Sequence, residues 1–162
     1  MNQIAIITPV PKLIDAFVNN SILRKIIDRK VLEIKIFNLR DFGIGKYKQI
    51  DDTPYGGGGG MILKPEPLFR AIEVAMNWIK IKERIRVILT APGGQKWDQC
   101  TAKQLSKKKN IIFLCGHYKG VDERVIDEYV TDQFSIGDYV LTCGEIPVMA
   151  IIDSVSRLIP GA

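Results

Sequence analysis

Apolar residues in this chain fall into short runs separated by segments that repeat every three or four positions, a pattern that reads as strand, helix, strand. Ile4 to Val10 is a β-branched run ended by Pro9 and Pro11 and reads as a buried first strand, with a helical stretch following to about Arg29. Glu33 to Asn38 alternates polar and apolar residues as a second strand does, and Leu39 to Tyr55 is polar and turn-rich, one long functional loop. Leu68, Ile72, Ala75, Met76 and Ile79 recur at three and four residues, so Pro65 to about Lys80 is an amphipathic helix with prolines at its start. Arg86 to Thr90 reads as a third strand, Trp97 to Lys108 as a helix with a basic end, Ile111 to Cys115 as a fourth strand and Val121 to Val130 as a helix. Phe134 to Ile136 begins a further strand or turn. Val148, Ile151, Ile152, Val155, Leu158 and Ile159 share one face of a closing helix that stops at Pro160-Gly161. Strands alternating with helices predict an α/β fold, a parallel sheet with helices on both faces.

Residues Gly56 to Gly60 interrupt this pattern with five consecutive glycines between Tyr55 and Met61. Fixing one residue costs roughly 1–2 kcal/mol, so freezing the run costs on the order of 5–10 kcal/mol, comparable to the stability of a whole domain. Such a loop either stays mobile or is ordered by something that must approach the main chain closely. The expectation is that Gly56 to Gly60 are poorly ordered in the chain alone.

Composition narrows the class. With 162 residues and neither repeats nor internal linkers, the chain suits one domain that buries about 70% of its unfolded surface. Cys100, Cys115 and Cys143 are odd in number and widely spaced, which suggests neither a disulfide framework nor a zinc site and points to a reduced cytoplasm. No secretory signal is apparent and no apolar run approaches the ~20 residues that span a bilayer. Twenty-three Lys and Arg against eighteen Asp and Glu give a net charge of +5, with a pI near 9.1. That balance favours a polyanionic partner, although a merely solvated basic surface accounts for it equally well.

Several familiar chemistries are excluded by residue type. A P-loop needs Gly-Lys-Ser/Thr after its glycines, and Met61-Ile62-Leu63 follow instead. A dinucleotide fingerprint belongs after the first strand, where Thr8-Pro9-Val10-Pro11 stands. His117 is the only histidine, so a histidine metal cluster is impossible, and it reads as an incidental loop residue. Three glycine-bearing turns remain: Ala91 to Gly94, Cys115 to Gly120, and Ser135 to Glu145. Each could simply end an element. Ligands of parallel sheets bind outside the carboxyl ends of strands, however, and together the turns suggest a pocket that reads main-chain groups.

Four segments carry a resemblance that covers essentially the whole chain. They are Asp51-Asp52-x-Pro54-Tyr55-Gly56-Gly57-Gly58-x-Gly60-Met61, Cys115-Gly116-x-Tyr118-x-Gly120-x-Asp122-x-Arg124-Val125, Ser135-Ile136-Gly137-Asp138-Tyr139-Val140-Leu141, and Asp153-Ser154-Val155-Ser156-Arg157-x-Ile159-Pro160-Gly161. In this order they closely resemble the bacterial tRNA (guanine-N1)-methyltransferases of the SPOUT superfamily, the TrmD family. The resemblance implies a parallel α/β sheet with a C-terminal deep trefoil knot, which topology rules alone would have rejected. It also implies a homodimer that uses S-adenosylmethionine to methylate tRNA at guanine N1 beside the anticodon.

Carried onto this chain, the resemblance assigns the cofactor to Leu89, Thr90 and Pro92, to Gly116, Tyr118, Lys119 and Gly120, and to Ser135, Ile136, Gly137, Asp138, Tyr139, Val140, Leu141 and Gly144. It assigns the target guanine and tRNA to Asp51, Tyr55, Gly56, Gly57 and Gly58, although Asp51 also suits a simple turn carboxylate. Arg157 matches the family arginine that accepts charge building on guanine O6, the alternative being a surface pair with Asp153. No metal ligand is implied. The family's general base is an aspartate beyond this point, in a linker to a helical tRNA-binding domain. Residues 1–162 are therefore expected to be the cofactor-binding domain, competent to bind the donor and poor at turnover. Three departures from the family pattern stand out: Lys119 where Glu is usual, Cys143 where Gly is usual, and Gly59 where Pro is usual. The competing expectation is a noncatalytic RNA-binding or cofactor-sensing module derived from such an enzyme.

Overall fold

A computed structural model of the chain describes residues 2–54, 57, 59–80 and 84–162. In chain order the elements are β1 (Asn2–Thr8), α1 (Pro11–Val18), α2 (Ser21–Asp28), β2 (Leu32–Asn38), a 3-10 turn (Leu39–Phe42), β3 (Asp51–Asp52), β4 (Ile62–Leu63) and α3 (Pro65–Trp78). There follow β5 (Arg86–Lys96), α4 (Gln99–Leu105), β6 (Asn110–Leu114), α5 (Glu123–Tyr129), β7 (Asp132–Ser135) and α6 (Glu145–Ser156). Strands β2, β1, β6, β5 and β7, in that order, form one parallel sheet, while β3 and β4 pair as a separate antiparallel ribbon.

The sheet is buried on both faces, which is why its strands read as continuous apolar runs. Ile4 and Ile6 of β1 pack with Ile111 and Phe113 of β6 under α1, α2, α4 and α6. Ala5 and Ile7, with Ile112 and Leu114, face α3, α5 and the 3-10 turn. No helix among the described residues is long and apolar enough to cross a membrane.

Three expectations change. The helix to Arg29 is two helices, because the side-chain amides of Asn19 and Asn20 take the carbonyls of Asp15 and Ala16 and end the first. The stretch expected as one long loop from Leu39 instead carries the 3-10 turn and β3, with Leu39 and Ile50 both buried. Strand β5 runs past the expected turn at Ala91 to Gly94. Thr90 and Gln95 both oppose Phe134, so the four residues between them bow out as a bulge. A Cβ on Gly94 would lie 2.7 Å from Phe134 N, so glycine lets the chain rejoin β7 there. Trp97 still follows the strand, its N–H bonded to Ser135 O, and the helix starts only at Gln99, capped by Asp98 accepting from Thr101 N at 2.7 Å.

After β7 the chain doubles back. Gly144 N donates to Gly116 O at 2.8 Å, and Thr90 Oγ1 donates to Gly144 O at 3.3 Å. Residues 136–144 thereby return to the β5 bulge and the carboxyl end of β6, and α6 then packs against α1 and α4.

Candidate functional site

Those crossing segments enclose a cavity of about 550 Å³ at the carboxyl edge of the sheet. All three glycine turns reach it. Leu89, Thr90, Pro92, Gly116, Tyr118, Lys119, Gly120, Ser135, Ile136, Gly137, Tyr139, Val140, Leu141 and Gly144 line it, and of the residues assigned to a cofactor from sequence only Asp138 does not. Apolar side chains make up much of its wall, and the glycines sit where neighbours approach at close quarters. A Cβ on Gly144 would come within 2.8 Å of Gly116 O and 2.9 Å of Cys115 C, and one on Gly137 would meet the Tyr139 ring at 2.7 Å. Cys143 contributes a side chain to the wall beside them.

Behind the cavity lies a polar cluster that the sequence did not disclose. The Glu145 carboxylate is fully buried at the first turn of α6, where Thr8 Oγ1 donates to Oε1 and His117 Nε2 lies 2.7 Å from Oε2 and 2.9 Å from Oε1. Burial pushes the Glu145 pKa up, but the bonds from His117 and Thr8 outweigh it and hold the carboxyl below its ordinary value. An ionised carboxylate only accepts, so His117 Nε2 carries the proton. His117, expected to be incidental, therefore ties the turn after β6 to the start of α6 while lining the cavity itself. Thr8, His117 and Glu145 are distant in sequence. Their only signals were polar residues at strand ends and a Glu directly after Gly144. Burial, followed by the charge of Glu145, also raises the Cys115 thiol pKa well above its usual range.

The loop expected to face a substrate is tied to the same turn. Lys119 N donates to Met61 O at 3.0 Å, Leu63 N to Gly120 O at 3.0 Å and Asp122 N to Leu63 O at 3.2 Å. The Lys119 side chain lies over Gly60, where a Cβ would sit 2.7 Å from Cε. Tyr118, at φ +59, holds its hydroxyl near Asp51 and Arg40, and burial followed by the Asp51 carboxylate raises its pKa. Asp51 thus stands beside the cavity without lining it. Of the remaining substrate assignments, Gly57 sits at φ +84 with its N–H toward Pro54 O at 3.4 Å, while Tyr55, Gly56 and Gly58 lie outside the described residues. The poor order expected of Gly56 to Gly60 likewise falls outside them at Gly56 and Gly58. Arg157 caps α6 away from the cavity lining. Its guanidinium forms no ion pair with Asp153, so that alternative is not realised among the described residues.

Fold and cavity together define an α/β protein that presents a ligand-sized, glycine-walled site at the carboxyl edge of its parallel sheet. The profile of the family described as tRNA (Guanine-1)-methyltransferase TrmD matches residues 2–162. Proteins named tRNA (guanine-N(1)-)-methyltransferase are similar throughout: that of Brevibacillus brevis is 47% identical over 160 residues, covering 99% of this chain and 64% of its own length. That of Alkaliphilus metalliredigens is 43% identical over 159 residues, covering 98% of this chain and 64% of its own length. The crystal structure of the tRNA (m1G37) methyltransferase from Aquifex aeolicus superposes with a TM-score of 0.88 at 38% identity, over 99% of this chain and 71% of that one. The chain belongs to the tRNA (guanine-N1)-methyltransferase family, and it spans a little under two thirds of the length of the Brevibacillus and Alkaliphilus relatives.

Proposed function

We propose that this chain binds S-adenosylmethionine in the carboxyl-edge cavity and serves the methylation of guanine N1 beside the anticodon of tRNA. The observation that carries this reading is the convergence of the sequence-assigned residues, all but Asp138, on one cavity. A volume of about 550 Å³ suits a ligand of this size, and a wall of glycine main chain offers the amide and carbonyl groups that an adenine and a ribose require. Bound there, the donor supplies an electrophilic methyl on a cationic sulfur.

The chain's own residues do the rest. Main-chain groups of Leu89 to Pro92, Gly116 to Gly120 and Ser135 to Gly144 orient the ligand, and the His117–Glu145 pair holds two of those segments together. Asp51 and the glycine run are proposed to serve the target base. Attack by N1 requires loss of its proton and builds charge on O6, which Arg157 is proposed to stabilise. Residues 1–162 are proposed as a single SPOUT domain that binds the donor. A homodimer and a deep trefoil knot belong to the same proposal. The knot draws support from the return of residues 136–144 to the β5 bulge and the carboxyl end of β6.

Lys119 favours a second reading, a noncatalytic RNA-binding or cofactor-sensing module, because it sets a cation in the wall of a cavity proposed to hold a cationic sulfonium. Calorimetric titration with S-adenosylmethionine tests both readings. Binding by the chain, tighter in Lys119→Glu, is expected. No heat from either protein would sink the cavity assignment.

A further inference from the structure

The opposite end of the sheet carries chemistry that the cavity does not use. Lys30 enters β2, Lys107, Lys108 and Lys109 enter β6, and Lys80 and Arg84 stand in the connection to β5. All six are exposed, and none forms an ion pair among the described residues. The main chain gathers them. Gln3 N donates to Lys109 O at 2.7 Å, Lys80 N donates to Gln3 Oε1 at 2.9 Å, and Asn2 N donates to Val31 O, next to Lys30, at 3.3 Å. Strands β2, β1, β6 and β5 are adjacent, so at about 4.8 Å per strand these loops form a band on the order of 15 Å long.

Helices α2, α3 and α4 also end here, and their C-terminal dipoles attract cations. Three such ends ask for about one and a half positive charges, well short of what the loops supply. Among the described residues, nearby carboxylates absorb little of the excess: Asp28 pairs with Arg24 at 3.7 Å and Asp132 holds Arg86, which leaves Glu33, accepting from Gln3 Nε2 at 2.8 Å, as one negative charge beside six cations.

We infer that this amino-terminal edge of the sheet is a second nucleic-acid surface, one that grips an RNA phosphate backbone without reading its bases. A strand carries one phosphate per roughly 3.4 Å, so the band faces about four of them. RNA is favoured over an anionic membrane because, among the described residues, none of the large exposed apolar side chains lies in these loops to insert among lipid tails. The inference rests on the reading above only in taking RNA as the polyanion. It does not depend on donor binding in the cavity.

The test is fluorescence anisotropy of a labelled single-stranded oligoribonucleotide of mixed sequence, titrated with the chain and with two charge-matched pairs of variants. Lys107→Glu/Lys108→Glu alters the edge. Lys12→Glu/Arg70→Glu makes the same change of net charge at exposed positions in the first turn of α1 and the second turn of α3. Binding should fall about 50-fold between 50 and 200 mM salt, as expected of about four phosphate contacts. The edge pair should weaken binding at least tenfold and the other pair less than threefold, with S-adenosylmethionine calorimetry and circular dichroism unchanged in both. Equal loss in the two pairs, or no binding at 50 mM salt, overturns the inference. So does sedimentation with phosphatidylserine vesicles that out-competes the RNA and is lost in the edge pair. Failure of donor binding with the edge effect intact would instead count against the cavity assignment alone.

Discussion

At the carboxyl end of the sheet the chain closes on itself through groups that leave little room for a substitute: Gly144 against Gly116, Gly94 against Phe134, and a buried carboxylate between Thr8 and His117. At the amino end the same strands emerge into exposed lysines held only by their main chain. One end is fixed by packing and local electrostatics, the other is free to carry charge. Stability should therefore depend steeply on residues at the first end and hardly at all on side chains at the second.

Glu145→Ala offers the sharpest probe of this contrast. Removing one partner of a buried pair costs about 3–5 kcal/mol, since the remaining polar groups lose their compensation, and urea unfolding should show a loss of that size. The pair also predicts a pH signature. Because the folded Glu145 pKa lies below its ordinary value of 4.5, the ionised carboxylate contributes stability that is fully present above that value. The contribution is lost as pH falls through the folded pKa. In Glu145→Gln the decline in stability below about pH 4.5 should be shallower than in the parent chain. An unchanged acid limb would show that the carboxylate is not held as the geometry indicates.

Two glycines sharpen the comparison within the carboxyl end. Gly144 has an ordinary helical backbone, φ −78 and ψ −10, so alanine is conformationally permitted, yet its Cβ would collide with the main chain of Cys115 and Gly116. Overpacking of this kind costs typically 1–3 kcal/mol. Gly93, in the bulge of β5, has open space where a Cβ would stand, with no atom within 4 Å, and Gly93→Ala should stay within about 0.5 kcal/mol by the same urea assay. Equal effects at the two sites would mean that close main-chain approach does not hold residues 136–144 in place.

Much of this end was legible in the sequence. Apolar runs buried on both faces announced the strands, and glycine turns after them located the cavity walls. What stayed hidden was whatever depends on distant partners. Ala91 to Gly94 reads as a turn until β7 lies alongside and β5 resumes. Asn19 and Asn20 break a helix by bonding back to carbonyls in a way that composition alone does not dictate. His117 and Glu145 are 28 residues apart and become a pair only when residues 136–144 return over β6. The motif that held Arg157 placed it in sequence and not in the cavity lining.

Asp122 is a milder case at the same end. Its carboxylate accepts from Arg124 N at 3.1 Å at the start of α5 and takes the Arg124 guanidinium at 2.8 and 2.9 Å. That guanidinium, then burial working against it, leaves the Asp122 carboxyl below its ordinary pKa. Asp122→Ala removes a helix cap and should cost about 1–2 kcal/mol. Asp122→Asn keeps a capping oxygen and should recover part of that loss, which thermal unfolding of the two variants side by side would read out.

Lys107→Ala/Lys108→Ala carries the comparison to its other limit. Both side chains are exposed and neither holds an ion pair among the described residues, so truncation removes little packing. Two small effects oppose each other. Losing cations beyond the C-terminal end of α4 gives up some interaction with its dipole, a few tenths of a kcal/mol each, while thinning a band of like charges relieves repulsion of similar size. The net change should fall within about 0.5 kcal/mol, or roughly 1–2 °C in Tm for a domain of this length. Both opposing effects are screened, so repeating the melt at about 1 M salt should shrink the difference further. A loss of several degrees that persists at high salt would mean that these lysines are packed into the fold, and the two ends of the sheet would then be alike.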